Sequence, residues 1–130
     1  MVVDASACYL AVADDGLPGN DARLRLRGHD LQAPHLVDLE VLSVLRRETL
    51  RGALTRSRAD EAVADLARMA ISRYSHSLLA PRIWALKDNL TPYDAAYVAL
   101  AEVLGLPLLT ADRRLANAPG LRCRVELLAS

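Results

Sequence analysis

Short apolar runs separated by longer helical patterns set the rhythm of this chain. Met1-Val2-Val3 is an apolar run of β type that stops at Asp4. Ser6 is placed to cap a helix over about Ala7–Ala13, and Asp14-Asp15-Gly16-Leu17-Pro18-Gly19 reads as a loop. Asp21–Gly28 is ambiguous. Arg23, Arg25 and Arg27 alternate with Leu24 and Leu26 at strand period, whereas Ala22 and the stop at Gly28 suit a short helix, and the helix is preferred. Leu31-Gln32-Ala33 predicts a second strand, broken by Pro34. From His35 to Leu50 the apolar residues Leu36, Val37, Leu39, Val41, Leu42, Val44 and Leu45 leave almost no polar face. That pattern predicts a helix buried in the fold, in a dimer interface, or in both.

Gly52 ends that segment. Ser57 with Asp60 forms a capping box that opens an amphipathic helix to about Ala70. Ile71–Tyr74 is a third strand, and Leu79–Lys87 a helix with Pro81 tolerable only in its first turn. The next helix carries the densest set of signals. Thr91 is a good N-cap and Pro92 suits the first helical position. Asp94, three residues after the cap, holds the acidic place of a capping box. The helix is nearly all Ala, Val, Leu and Tyr as far as Leu104, so it should be buried on most sides, and Gly105 supplies a left-handed cap. Leu106–Leu109 is a fourth strand, followed by Thr110-Ala111-Asp112-Arg113-Arg114, and Arg124–Leu127 a fifth. Strands alternating with helices predict one α/β domain over residues 1–130, with a mostly parallel sheet and right-handed crossovers.

Composition changes this picture little. A chain of 130 residues with 52% hydrophobic and 25% charged content is globular and too short for two domains. With 16 basic and 16 acidic residues the net charge is zero, so bulk charge neither predicts nucleic-acid binding nor excludes it. No apolar run approaches the roughly 18 residues of a membrane helix, and no leader pattern follows Met1. A cytoplasmic protein without a membrane association is expected. Cys8 and Cys123 lack metal-site spacing and read as small hydrophobes in a reducing compartment. His29, His35 and His76 are scattered, and neither a Ser–His–Asp nor a Cys–His set is visible, which argues against covalent catalysis.

The acids carry the chemistry. In parallel α/β folds ligands sit beyond the carboxyl ends of the strands. Asp4 follows the first strand directly, and Asp112 follows the fourth by two residues. Asp94 lies in the first turn of a helix that starts at the same edge, and Glu40 lies roughly 8 Å along another. Each has an ordinary structural reading when taken singly. Asp4 can be a strand-end turn residue, Glu40 can pair with Arg47 or a distant arginine, and Asp94 and Asp112 can be helix caps. Four carboxylates on four elements at one edge repel one another, however, and a hard divalent cation relieves that repulsion. Such an ion can activate water and hold a phosphodiester for in-line attack. Ser6 and Thr110 add small hydroxyl partners.

Val3-Asp4-Ala5-Ser6-Ala7, Glu40 in an apolar helix, Asn89-Leu90-Thr91-Pro92-Tyr93-Asp94-Ala95-Ala96-Tyr97-Val98-Ala99-Leu100-Ala101-Glu102 and Leu109-Thr110-Ala111-Asp112-Arg113-Arg114-Leu115-Ala116 together resemble PIN-domain proteins, above all the VapC-type toxins of bacterial toxin–antitoxin pairs. The likeness runs from Asp4 to the final strand. It implies a three-layer α/β/α sandwich with about five parallel strands in the order 3-2-1-4-5. It also implies a Mg²⁺- or Mn²⁺-dependent endoribonuclease. Asp4, Glu40, Asp94 and Asp112 fall on the family's acidic, metal-holding positions, Ser6 and Thr110 on its small-hydroxyl positions, and Asn89 on a recurrent polar one. Members of the family usually form homodimers, sometimes within higher toxin–antitoxin complexes. A cognate antitoxin whose tail covers the acidic pocket holds them inactive. Asp88 departs from the pattern, since a neutral or basic residue is usual there.

An RNA substrate needs cations. Arg113 and Arg114 flank Asp112, and Arg82 and Lys87 precede Asn89, so these four are candidate phosphate contacts, with solvated helix-face charges as the plainer reading. Trp84, Tyr93 and Tyr97 can stack on bases, although aromatics in apolar helices are more often core. Two other functions are compatible with an acidic α/β fold. One is a PIN-like scaffold that binds without cutting. The other is a receiver-like Mg²⁺-binding signalling domain, which needs a phospho-accepting Asp on its central strand and a Lys after a late strand. Lys87, before a helix, is the only lysine available.

Overall fold

At the centre of the molecule lies a strand of only two residues, β1 (Val2–Val3), fully buried between two parallel neighbours. The computed structural model describes residues 1–128. After β1 come α1 (Ala5–Ala13), α2 (Leu17–Leu26), β2 (Leu31–Pro34), α3 (Val37–Leu50), α4 (Arg56–Arg68) and β3 (Ile71–Tyr74). A 3₁₀ turn (Ser77–Leu79) leads into α5 (Ala80–Ala85), and α6 (Pro92–Leu104), β4 (Leu108–Thr110), α7 (Arg113–Ala116) and β5 (Val125–Leu127) complete the order. The five strands form one sheet in the order β3-β2-β1-β4-β5, and every pairing is parallel. The result is the three-layer α/β/α sandwich expected. Helix α6 packs on β1, β2 and β4 with α5 against it, while α1 packs with α2, α3 and α4.

Register fixes what meets at the sheet edge. Val3 is paired with Leu109, and the Asp4 N–H donates to the Leu109 carbonyl at 3.2 Å, so Asp4 and Thr110 leave adjacent parallel strands side by side. Helix α6 is the buried platform under that edge, with every residue from Ala95 to Ala101 buried. Thr91 caps it by accepting from the Asp94 N–H at 3.2 Å, and Gly105, at φ 66°, closes it in the left-handed conformation that suits glycine. The Asp94 carboxylate does not complete the capping box; it is engaged elsewhere, as described below.

Several boundaries differ from the sequence pattern for local reasons. Asp4, not Ser6, caps α1, because the aspartate already stands at the strand end and its Oδ1 accepts from the Ala7 N–H. Helix α2 begins at Leu17, so only residues 14–16 remain as loop, and Gly19 lies inside the helix. A Cβ at Gly19 would sit 1.9 Å from the Asp14 carbonyl oxygen, so only glycine allows that approach. Thr55, not Ser57, caps α4, accepting from the Arg58 N–H at 3.1 Å. Pro34 ends β2 as its last residue instead of falling after it. Helix α3 buries the stripe Val37, Val41 and Leu45 but leaves Leu39 71% and Leu50 63% exposed, so it is one-sided in the chain on its own.

Candidate active site

Asp4 is the most deeply placed candidate acid, 6% exposed at the carboxyl end of β1. Its Oδ1 accepts from the Ser6 hydroxyl at 2.6 Å and the Ala7 N–H at 3.0 Å, and its Oδ2 accepts from the Thr110 hydroxyl at 2.5 Å. All three donors are neutral. Burial pushes the Asp4 carboxyl above its ordinary range, the hydroxyls and the Ala7 N–H oppose that rise, and the charge of Asp94 adds to it. The same hydroxyls tie the two strand ends together. The Ser6 and Thr110 oxygens are 3.3 Å apart, the Ala111 N–H donates to Ser6 at 2.9 Å, and the Asp112 N–H donates to Thr110 at 3.0 Å. Ser6 and Thr110 are thus both hydrogen-bonded to Asp4.

Glu40 enters from α3, half-buried. Its Oε1 accepts from the Tyr97 hydroxyl at 2.5 Å, and among the described residues no arginine reaches it, so the alternative pairing with Arg47 or a distant arginine does not form. Burial pushes its carboxyl up; the phenol partly counters this, and the charges of Asp94 and Asp4 push it further. Asp4, Glu40 and Asp94 are thus close enough to feel one another. The Tyr97 phenol, itself buried and facing a carboxylate, is held far above the usual tyrosine range and stays a donor.

Asp94 and Asp112 share a cation. Arg114 Nη2 lies 2.8 Å from Asp94 Oδ2 and 3.2 Å from Asp112 Oδ2. Asp112 Oδ1 also caps α7 by accepting from the Arg114 and Leu115 N–H groups at 2.9 and 3.3 Å. The plain N-cap reading of Asp112 is therefore met, and Arg114 also joins its carboxylate to that of Asp94. Arg114 was expected to face phosphate; here its guanidinium bridges two of the acids instead, and it remains 63% exposed. The four carboxylates are more dispersed than the sequence suggested. Among the described residues, no three acidic, histidine or cysteine side chains are gathered closely enough to hold a metal ion.

The donor set nonetheless suits a hard cation. It offers only carboxylate and hydroxyl oxygens, and among the described residues Asp4 and Glu40 have no cationic partner. Mg²⁺ takes only one or two carboxylates directly and keeps several waters, so it does not need a closed cage.

The remaining candidates separate. Arg82 is committed to Glu102, with Nε 2.7 Å from Oε1 and Nη2 3.1 Å from Oε2, and it also donates to the Gly120 carbonyl. That engagement corrects its reading as a free phosphate contact. Lys87 lies over the Trp84 ring, 5.0 Å from its centroid. Asn89 donates to the Pro119 carbonyl at 3.3 Å, which braces a loop and places it outside the hydrogen-bonded acid network. Arg113 is exposed beside the site. Tyr97 is core, as expected, but Trp84 and Tyr93 are 66% and 64% exposed, contrary to the core reading. Sequence reasoning missed the polar role of Tyr97. Its spacing of three residues from Asp94 puts both on one helical face, and that was the available signal.

The PIN-domain family model matches residues 1–121. The chain belongs to the PIN-domain family. Within it, the chain is similar to Ribonuclease VapC1 of Mycobacterium tuberculosis, 44% identical over 131 residues that span 98% of this chain and 96% of that protein. It is also similar to Ribonuclease VapC9 of the same species, 41% identical over 128 residues and 98% of each chain. Among solved structures, this PIN domain resembles PAE2754 from Pyrobaculum aerophilum, with TM-score 0.68, 27% identity, and 88% and 81% of the two chains covered. It shares its fold with the sarcin–ricin-loop-cleaving toxin VapC20 of M. tuberculosis, with TM-score 0.70, 15% identity, and 95% and 98% covered. It likewise shares its fold with VapBC2 of Rickettsia felis bound to a promoter DNA fragment, with TM-score 0.65, 13% identity, and 98% of each chain covered.

Proposed function

We propose that this PIN domain is the toxin of a toxin–antitoxin pair, an endoribonuclease that hydrolyses RNA phosphodiester bonds with Mg²⁺ or Mn²⁺. The observation that carries the reading is the pair Asp4, at the end of β1, and Glu40, on α3, which among the described residues accept hydrogen bonds from neutral donors only, with the charge of Asp94 on α6 felt by both. The curated relatives' names, each a VapC ribonuclease, support the same activity. The VapBC2 complex supports an antitoxin as partner.

Asp4, Glu40 and Asp94 would hold the ion, with Asp112 at the margin. When bound, it supplies Lewis-acid stabilisation of phosphate charge and makes water acidic enough to attack. The chain's own residues do the rest. Ser6 and Thr110 hold Asp4 in one rotamer, and both strand ends with it. One of these carboxylates would take the proton that the attacking water gives up. Arg114, released from Asp94 and Asp112 once those groups are neutralised, and Arg113 beside it provide cations for the RNA backbone. Arg114 is mostly exposed, so its bridge is a weak hold.

A homodimer fits the exposed Leu39 and Leu50 of α3, which a second copy would cover. Among the described residues no helix is long and apolar enough to cross a membrane, and a cytoplasmic location is part of the proposal. The test is cleavage of total RNA by the purified chain with Mg²⁺ or Mn²⁺ and with EDTA, followed by mapping of RNA ends after brief expression. Metal-dependent cuts at defined sites, abolished in Asp94→Asn, are expected. An intact RNA pool with every divalent ion tried would leave the non-cutting scaffold as the better reading.

A further inference from the structure

We infer that Tyr97 is a positioning residue for the acidic site, aiming the Glu40 carboxylate through its phenolic hydroxyl. The inference rests on the nuclease reading above and adds a residue to its machinery. The ring is 1% exposed, locked in the packing of α6 beneath the sheet edge. Its hydroxyl leaves that packing at one point and donates to Glu40 Oε1 at 2.5 Å, across 57 residues of sequence. Glu40 is a long side chain on a different helix, and this is the hydrogen bond that the described residues give its carboxylate. Without it, three side-chain torsions of a half-exposed glutamate are free. With it, one oxygen is held and the other is left for a ligand.

The placement on α6 makes this more than a satisfied core tyrosine. Asp94 and Tyr97 are three residues apart, so they share a face of one rigid helix. Helix α6 therefore supplies one acid directly and fixes the direction of a second that arrives from α3. A core tyrosine needs a partner for its hydroxyl when buried, and any carbonyl would serve. Here the partner is a carboxylate that also feels Asp4 and Asp94. Hydrogen-bond partners that orient ligands in this way typically alter metal affinity or activity about 10- to 100-fold when removed.

The test uses the full metal-free chain and Mn²⁺, with free Mn²⁺ read by its electron paramagnetic resonance signal. Wild type, Tyr97→Phe, Glu40→Gln and the double variant are titrated, and RNA cleavage is measured in parallel. Tyr97→Phe keeps the ring and removes only the hydroxyl; Tyr97→Leu, also without the hydroxyl, serves as second variant if the first folds poorly. Tyr97→Phe is expected to weaken Mn²⁺ binding about 10-fold or more. It is also expected to lower kcat while leaving the KM for RNA unchanged, since the phenol touches no substrate. The double variant is expected to bind no more weakly than Glu40→Gln alone, because the phenol acts through Glu40. Wild-type affinity in Tyr97→Phe, or losses that add in the double variant, would overturn the role of Tyr97 while the nuclease reading stands. A wild-type chain that neither binds Mn²⁺ nor cuts RNA overturns both.

Discussion

Glu102 and Glu40 are two half-buried glutamates that the fold treats in opposite ways. Glu102, near the end of α6, is held by both arms of Arg82 and by the Arg122 N–H at 2.8 Å. Burial pushes its carboxyl up, but the guanidinium and the N–H outweigh burial and hold it below the ordinary range. Glu40 receives a single phenol and two like-charged neighbours, and its carboxyl is pushed up. Asp4 follows Glu40, with hydroxyls where Glu102 has an arginine. The chain can thus neutralise a buried acid when the role is to brace α5 against α6. At the strand ends it leaves negative charge in place, held by neutral donors. Glu102 is paired with a cation inside the protein, whereas Asp4 and Glu40 have neutral donors only among the described residues, which under the proposed function leaves them for a cation from outside.

The comparison can be broken at either end. The largest effect is expected from Asp4→Asn, which keeps the side-chain shape and the oxygen that caps α1, turns the oxygen facing Thr110 into a donor, and removes the charge. RNA cleavage should fall by at least about 100-fold with an unchanged circular dichroism spectrum. Cleavage within a few-fold of wild type would show that Asp4 is a turn residue only. Glu102→Gln should act on the other property. It weakens a charge-assisted, largely buried pair and should cost about 2 kcal/mol of stability, read from denaturant midpoints, with kcat changed less than about twofold. A large loss of kcat with stability intact would erase the distinction between the two ends.

Smaller effects sharpen it. Arg114→Gln removes the cation shared by Asp94 and Asp112. Mn²⁺ should bind up to about fivefold more tightly, within the range for an exposed ion pair, and the salt dependence of RNA binding should fall by about one phosphate contact. The smallest expected effect is a pH dependence. The Glu40 carboxyl is raised in the folded state, so without metal it favours folding below its unfolded value near 4.5 and loses that contribution as pH rises through the folded value. Glu40→Gln lacks this loss. The metal-free variant should match wild type at acid pH and melt higher by a few degrees at most toward neutral pH. A difference that shrinks with rising pH would contradict the assigned direction.

Much of this was legible in the sequence because it is local. Thr91-Pro92 and Gly105 bracket α6 with residues that do little else as well, and Ile71–Tyr74, opening on a buried isoleucine, marks β3 where it lies. The positions of Asp4 and Asp112 followed from strand ends in a parallel sheet. What was not legible is long-range. Arg82 and Arg114 read as free cations because nothing in the local pattern shows that one meets Glu102 and the other bridges Asp94 to Asp112. The helix caps slipped by two residues where two capping residues stood close together, as Asp4 and Ser6 or Thr55 and Ser57 do. Tyr97 was read by its ring, and its hydroxyl mattered.

The most direct test of the central claim, that the strand-end acids await an external cation, is the melting temperature of the metal-free chain as Mn²⁺ is added. Wild type should melt progressively higher as the ion binds the folded state, and Asp4→Asn should show little response. An equal rise in both proteins, or none in wild type, would contradict the account.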